Sequence, residues 1–163
     1  MIEHIERLLK SRIGLEAESV GRTVIERAVR QRMSALGQQN LEGYWTTLGG
    51  STREQQALVE AVVVPETWFF RYPESFNALA SLAQERHAQL HGGRPLRLIS
   101  LPSSSGEEPY SIAMTLLDAG FSAEQFQIDA LDVSDKVLEQ ARKGLYGRNS
   151  FRGDALAFRD RFF

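Results

Sequence analysis

Apolar residues in the first part of the chain recur every three or four positions, which is the spacing of amphipathic helices. This pattern predicts two helices that end near Gly14 and Gly37, followed by a short third helical segment. Ser51 with Glu54 three residues later is a capping-box pattern, so a fourth helix is expected to begin there. Residues 1–64 are therefore predicted to form a small all-α domain.

The hydrophobic period changes further along the chain. Residues 65–95 are predicted to be a linker segment followed by a helix that begins at Pro73. Two strands are expected at 96–101 and 126–132, and a helical pattern follows each of them. Strands that alternate with helices imply a parallel sheet with right-handed crossovers, so the predicted fold is α/β with an N-terminal all-α domain.

Two strands are too few to cover the faces of such a sheet. Residues 96–163 are therefore expected to be a partial domain, the first half of a Rossmann-like sheet, with the remainder in chain beyond Phe163. A half-finished sheet exposes apolar surface, which favours self-association of this chain.

Composition narrows the class of protein. Apolar residues make up 42% of the chain and charged residues 25%, as in ordinary globular domains. The net charge of −2 argues against nucleic acid as a partner. The chain has no cysteine, which fits a cytoplasmic location. It has no secretory signal pattern and no apolar run near the ~20 residues that cross a bilayer, so membrane insertion is not expected.

The loop between the first predicted strand and its helix, residues 103–111, is rich in serine and contains Gly106. Small residues leave backbone amides uncovered, so a ligand can approach closely. Glu107 and Glu108 at the helix start disfavour a pyrophosphate and suit a ligand with positive charge or hydroxyls. S-adenosylmethionine has both. The loop lacks the Gly-x-Gly-x-x-Gly pattern, which disfavours a dinucleotide and a nucleotide-dependent oxidoreductase.

Asp132 stands at the end of the second predicted strand. In open α/β sheets an acid at this position commonly accepts hydrogen bonds from ribose hydroxyls. The alternative is that Asp132 or Asp135 only caps the helix that begins near Ser134.

Arg71 lies in an aromatic segment, 68–72, between the helical and α/β parts of the sequence. Its guanidinium could hold a carboxylate of cofactor or substrate through two hydrogen bonds. The alternative is a packing segment in which Arg71 pairs with a structural acid.

The second predicted helix carries a basic face. Arg22, Arg27 and Arg30 lie outside its apolar stripe, whereas Arg32 lies inside it and is expected to pair with a carboxylate elsewhere. Glu26 is the single acid on this helix. Such a face is either a solvated surface or a docking surface for an acidic partner.

His87 and His91 have the spacing of metal ligands on a helix, and both positions are expected to be exposed. No further ligand lies near them in sequence. We therefore predict no metal site.

Three motifs carry a resemblance: ETWFFR at 66–71, SSGEEPYSIA at 104–113, and ALDVS at 130–134 with VLEQA and GLY shortly after it. In these segments, and in the helical segment 22–37, the chain resembles the N-terminal portion of a CheR-family chemotaxis-receptor methyltransferase. It is most similar to the surface-sensing, biofilm-associated Wsp branch.

The resemblance implies S-adenosylmethionine-dependent O-methylation of glutamate side chains on a chemoreceptor-like signalling protein, with S-adenosylhomocysteine as product. Arg71 is the implied catalytic residue, because it would orient a carboxylate. The implied substrate-binding residues are Arg22, Arg27 and Arg30, which would bind acidic helices of the receptor. The implied cofactor-binding residues are Thr67, Arg71, Ser105, Gly106, Glu108 and Asp132.

The chain departs from the family pattern in three places. Pro65 stands where the family usually has asparagine, so one side-chain hydrogen bond to the cofactor is lost or replaced. Residues 101–103 replace small alanines, and the family's later Cys-Arg-Asn-Val segment is absent. Two alternatives therefore stay open: a non-catalytic module that docks receptor helices, and a methyltransferase of small molecules.

Overall fold

The computed structural model describes residues 1–90, 94–153 and 156–163. The chain divides into two compact units, Met1–Val64 and Pro65–Phe163. The first unit is helical, and the second contains a two-stranded parallel sheet with helices. The predicted fold class is confirmed.

Five helices form the first unit. They are α1 (Ile2–Ile13), α2 (Ala17–Val20), α3 (Arg22–Ala35), α4 (Leu41–Gly50) and α5 (Thr52–Val62). The predicted ends of the first two long helices are confirmed, because Gly14 and Gly37 have left-handed backbone angles, with φ of 70° and 66°. The sequence pattern missed α2, since four residues are too short to show a helical period.

A buried polar network crosses the core of the first unit. Arg32 donates to both carboxylate oxygens of Glu54, over 2.9 and 2.8 Å, and the Tyr44 hydroxyl donates to the same carboxylate over 3.1 Å. The expected pairing of Arg32 is thereby confirmed. Burial, together with the charge of Glu54, raises the pKa of Tyr44 well above its ordinary value.

The capping box predicted for α5 forms only in part. The Ser51 side chain accepts a hydrogen bond from the Glu54 backbone N–H, as expected. The Glu54 carboxylate, however, bonds Arg32 and Tyr44. A partly buried guanidinium is a stronger partner for a carboxylate than a backbone N–H at a helix end, so Glu54 bonds Arg32 instead of completing the cap.

The second unit has the predicted β-α-β-α order. After α6 (Pro73–Gln89), its elements are β1 (Leu96–Ser100), α7 (Glu107–Asp118), β2 (Phe126–Ala130), α8 (Asp135–Lys143) and α9 (Arg159–Phe162). The strands pair in parallel, with Leu96 opposite Phe126 and Ser100 opposite Ala130. In the ranges that the structure describes, these two are the only strands.

One face of this sheet is covered and the other is open. Leu96 and Leu98 pack with the apolar residues of α6 and α7. On the opposite face, Ile99 is 67% exposed, and Leu101, just after the strand, is 66% exposed. The predicted exposure of apolar sheet surface is confirmed, whereas self-association stays a prediction.

Among the described helices α6 is the longest, with 17 residues, and its charged side chains lie near its two ends, at Glu74, Glu85 and Arg86. Among the residues described by the structure, no helix combines the length and apolar character that a membrane span needs.

Candidate functional site

The two strands end side by side, and backbone hydrogen bonds join the loops that follow them. The Leu131 N–H donates to the Ser100 carbonyl over 3.0 Å, and the Ser103 N–H donates to the Leu131 carbonyl over 2.7 Å. The loop after β1 and the loop after β2 therefore lie at one edge of the sheet, where ligands of α/β proteins usually bind.

Asp132 ties these two loops together. Its carboxylate accepts the Ser104 N–H over 2.8 Å and the Ser134 N–H over 3.0 Å, with one oxygen for each. The helix cap of α8 is Ser134, whose side chain accepts from Val137, so the alternative in which Asp132 or Asp135 is the cap is wrong. Each carboxylate oxygen keeps a second lone pair, so Asp132 can still accept from hydroxyl groups of a ligand.

Glu108 lies over the end of β1. Its carboxylate accepts the Ser100 hydroxyl over 2.7 Å, and Ser100 itself is buried. The side chain of Glu108 is exposed, so its charge remains available to a ligand. The structure thus brings Glu108 and Asp132 to the same end of the sheet.

Glu107 points into the protein, and the expectation that both acids of the helix start face a ligand is wrong for this residue. It is 3% exposed, and it accepts the hydroxyls of Ser105 and Ser150, each over 2.7 Å. Glu107 therefore holds the loop before α7 against the segment after α8.

Ser105 and Gly106 are packed closely by protein atoms. The Tyr146 hydroxyl donates to the Ser105 carbonyl over 2.8 Å. Gly106 has a φ of 99°, and a Cβ there would lie 2.7 Å from the Tyr146 hydroxyl oxygen and 2.9 Å from the Ala141 Cβ. The glycine is thus required for a close approach of protein, not of a ligand, to its Cα, and cofactor binding by Ser105 and Gly106 stays a prediction. Burial and the charge of Glu107 raise the pKa of Tyr146 above its ordinary value.

Two serine hydroxyls of the same loop are buried without a partner among the described residues. They belong to Ser103, which is 1% exposed, and to Ser104. A buried hydroxyl without a hydrogen bond lowers the stability of the fold. A polar ligand at this edge of the sheet would supply the missing hydrogen bonds. Together with the two acids, these hydroxyls fit the ribose and ammonium groups of S-adenosylmethionine.

Thr67 and Arg71 lie on a segment that is fixed against α7. The Phe70 N–H donates to the Ser111 hydroxyl over 3.0 Å, and the Phe69 N–H donates to the Ser150 carbonyl over 2.9 Å. The segment therefore lies beside the first turns of the helix that carries Glu108. Thr67 is half-buried in it.

The guanidinium of Arg71 stacks on aromatic rings and donates to the Glu66 carbonyl over 3.0 Å. It lies 4.6 Å from the centre of the Trp68 ring and 5.4 Å from that of Tyr72. Arg71 lines a cavity of about 780 Å³, and neither Glu108 nor Asp132 is among its described lining residues. These contacts place the guanidinium of Arg71 against Trp68 and Tyr72, and its role toward a ligand stays a prediction.

The basic face of α3 is partly neutralised by two acids on α1 and by Glu26 on α3 itself. Arg22 pairs with Glu6 over 3.0 Å and approaches Glu3 at 3.7 Å, both of them on α1. Arg30 lies 3.6 Å from Glu26. Arg27 is exposed, and no ion pair is found for it among the described residues.

The histidine pair lies only partly within the described residues. His87 is half-buried, not exposed as expected; its ring packs edge-on against Phe121, and its Nε2 lies 3.2 Å from the Gln125 side chain. His91 lies outside the described residues. Within the described ranges, no group of three potential metal ligands is found.

Tyr146 and Ser150 shape this site but were not predicted from the sequence, and Glu107 was predicted to face a ligand although it is buried. Tyr146 belongs to a motif that carries the resemblance, but nothing in the sequence shows that its hydroxyl reaches Ser105, 41 positions away. Glu107 gave the wrong signal, since two adjacent acids at a helix start look equally exposed.

A parallel β-α-β-α unit with an acid at the tip of β2 and a tight small-residue loop after β1 defines the first half of a Rossmann-like nucleotide-cofactor sheet. Within that class, residues 65–163 match the family "CheR methyltransferase, SAM binding domain". The chain belongs to the CheR methyltransferase family, whose cofactor is S-adenosylmethionine, and the resemblance seen in the sequence is confirmed.

Individual relatives agree. The chain is 67% identical over all of its residues to the probable biofilm formation methyltransferase WspC of Pseudomonas aeruginosa, and 59% identical over 96% of its length to WspC of Pseudomonas putida. It is 39% identical over 90% of its length to chemotaxis protein methyltransferase 2 of Pseudomonas aeruginosa. The chain spans 39% and 37% of the two WspC proteins and 51% of the chemotaxis methyltransferase.

Proposed function

We propose that the chain forms part of an S-adenosylmethionine-dependent protein-glutamate O-methyltransferase that acts in the cytoplasm on a chemoreceptor-like signalling protein. The observation that carries the proposal is the meeting of Asp132, Glu108 and two unpartnered buried serine hydroxyls at the ends of the paired strands. Membership of the CheR family and the similarity to WspC proteins support the same conclusion.

In this proposal, Asp132 and Glu108 bind different groups of the cofactor. Asp132 accepts hydrogen bonds from the ribose hydroxyls. Its carboxylate lies at the junction of the two loops, and each of its oxygens has a second lone pair that these two backbone hydrogen bonds do not use. Glu108 accepts from the ammonium of the methionine part, since its charge is exposed beside the tip of β1. Ser105 and Gly106 shape the loop, and Thr67 contacts the cofactor from the segment beside α7.

When bound, S-adenosylmethionine supplies an electrophilic methyl group on a sulfonium, and its transfer to a carboxylate oxygen leaves S-adenosylhomocysteine. A glutamate side chain is already ionised at neutral pH, so the chain needs no general base. Its work is to orient the substrate carboxylate and to exclude water, and good alignment can contribute roughly 7–11 kcal/mol to lowering a barrier. Arg71 is the residue proposed to orient that carboxylate.

The first unit supplies the receptor-docking surface in this proposal. The exposed face of α3 presents Arg22, Arg27 and Arg30, of which Arg27 has the fewest internal contacts to give up on binding. An acidic helix on the receptor would be complementary in charge to this face.

Calorimetric titration of S-adenosylhomocysteine into the chain tests cofactor binding. Glu108→Gln is expected to weaken binding by about 10- to 100-fold, because a charge-assisted hydrogen bond contributes about 1.5–3 kcal/mol. The glutamine can still accept the Ser100 hydroxyl, so the fold is preserved. Glu139→Gln, which removes an exposed carboxylate from α8, is the matched control and should bind like the parent chain.

A non-catalytic docking module is the second candidate, and the exposed arginines on α3 are the observation that favours it. It predicts no heat with S-adenosylhomocysteine while a receptor helix still binds to the first unit. If Glu108→Gln and Glu139→Gln bind the compound equally well, the proposed role of Glu108 is wrong.

A further inference from the structure

Two guanidinium groups make cation–π contacts with the ring of Trp68. The central carbon of Arg71 lies 4.6 Å from the ring centroid, and that of Arg152 lies 5.2 Å from it. Both arginines line the cavity of about 780 Å³ in the second unit. Two cations close to one ring repel each other, and a negatively charged group between or beside them relieves that repulsion.

The described residues supply little of that negative charge. Arg152 lies 3.5 Å from the Glu66 carboxylate, which is longer than a charge-assisted hydrogen bond, and both side chains are about half exposed. Arg71 meets only the carbonyl of Glu66, and its Nε is buried without a partner among the described residues. Asp118, which also lines the cavity, is ion-paired with Arg161.

The backbone holds the two arginines in place from both sides. Phe69 and Phe70, directly before Arg71, are bonded to Ser150 and Ser111. Ser150, two positions before Arg152, also donates its hydroxyl to the buried Glu107. The segments 66–72 and 148–152 are therefore fixed to each other and to the first turns of α7, and the convergence of the guanidiniums is built into the fold.

The walls of the cavity are apolar next to these charges. Phe70, Phe76 and Phe158 line it, and their rings pack against one another at centroid distances of 4.6 and 5.2 Å. A guanidinium stacked on a ring keeps its N–H groups free in its own plane, where they can reach a carboxylate through two bonds. The cavity therefore suits a carboxylate on a short apolar stem.

We propose that Arg152 acts with Arg71 and the Trp68 ring as a binding site for a glutamate side chain. The site assigns a substrate-binding role to Arg152, which no motif in the sequence singles out. We take this glutamate to be the one that is methylated, and in this point the inference rests on the proposed function. The carboxylate site itself does not depend on bound cofactor.

Tryptophan fluorescence measures the site directly, because Trp68 is part of it. In a Trp45→Phe background, which leaves Trp68 as the sole tryptophan, N-acetyl-glutamate amide is expected to change the emission saturably. N-acetyl-glutamine amide has the same shape without the charge and should give at most a small, linear change. Arg152→Gln is expected to weaken the glutamate response at least tenfold.

Arg148→Gln is the matched control, since Arg148 is exposed in the same segment and does not line this cavity among its described residues. Arg152→Lys keeps a charge and an aliphatic stem but loses the planar fork, so its affinity should fall between those of the parent and Arg152→Gln; this variant also covers the case in which glutamine disturbs folding. Equal responses to the two ligands, or equal affinity of Arg152→Gln and Arg148→Gln, would overturn the inference. Calorimetry with S-adenosylhomocysteine reports on the strand tips instead, so the failure of one site is distinguishable from failure of the other.

Discussion

Replacing Gly106 with alanine is expected to lower the free energy of unfolding of the second unit by about 2–5 kcal/mol and to abolish binding of S-adenosylhomocysteine. Two costs combine at this position. The backbone has a φ of 99°, which alanine rarely adopts, and the new methyl group would meet the Tyr146 hydroxyl oxygen at 2.7 Å and Ala141 at 2.9 Å. Relief of that crowding moves the loop that holds Ser104 and Ser105.

Gly120→Ala separates the two costs. Gly120 has a similar φ of 92°, but no atom lies within 4 Å of the position that its Cβ would take. This variant should lose only the conformational part, about 1–2 kcal/mol, and should bind S-adenosylhomocysteine like the parent chain. Urea unfolding and calorimetry measure both effects. The account of the loop is wrong if Gly106→Ala is no more harmful than Gly120→Ala.

Truncation of Glu54 to alanine is expected to destabilise the first unit by about 3–5 kcal/mol, the usual cost of breaking a buried ion pair from one side. Arg32 would lose both of its bonds to a carboxylate, and the buried Tyr44 hydroxyl would lose its acceptor. Urea unfolding followed by Trp45 fluorescence, in a Trp68→Phe background, reports on this unit alone.

Removing the charges together gives the matched comparison. The pair Arg32→Met with Glu54→Leu keeps roughly the volume of the side chains and leaves no unpaired charge, so it should recover part of the stability lost in Glu54→Ala. The remaining loss is the Tyr44 hydroxyl, which still lacks its acceptor. A loss below about 1 kcal/mol in Glu54→Ala, or a double variant as unstable as the single one, contradicts the proposed role of the network.

Local sequence signals predicted the elements that they directly determine. Gly14 and Gly37 end helices because the residue there adopts a left-handed backbone conformation, which glycine reaches without strain. A glycine after an amphipathic pattern therefore marks the helix end in the sequence. The change of hydrophobic period predicted the positions of both strands. Asp132 follows the end of β2 by two residues, so its position at that edge of the sheet could be predicted from the strand itself. These inferences need only neighbours in sequence.

The contacts that complete the site could not be predicted in this way. Glu107 faces inward because Ser150, 43 positions later, supplies a hydroxyl to it. Glu54 turns away from its helix cap because Arg32 reaches it from α3. Arg152 meets Trp68 only after two distant segments have packed on α7. Each case depends on a tertiary partner that no local pattern reveals.

Amide chemical-shift mapping by NMR, during titration with S-adenosylhomocysteine, tests the central claim most directly. If the compound lies across the ends of β1 and β2, the largest shifts should fall on residues 103–106 and on 132–134. Within these segments, the N–H groups of Ser104 and Ser134 donate to Asp132. Shifts that are confined to the cavity around Trp68, or that lie in the first unit, would contradict a cofactor site at the strand tips.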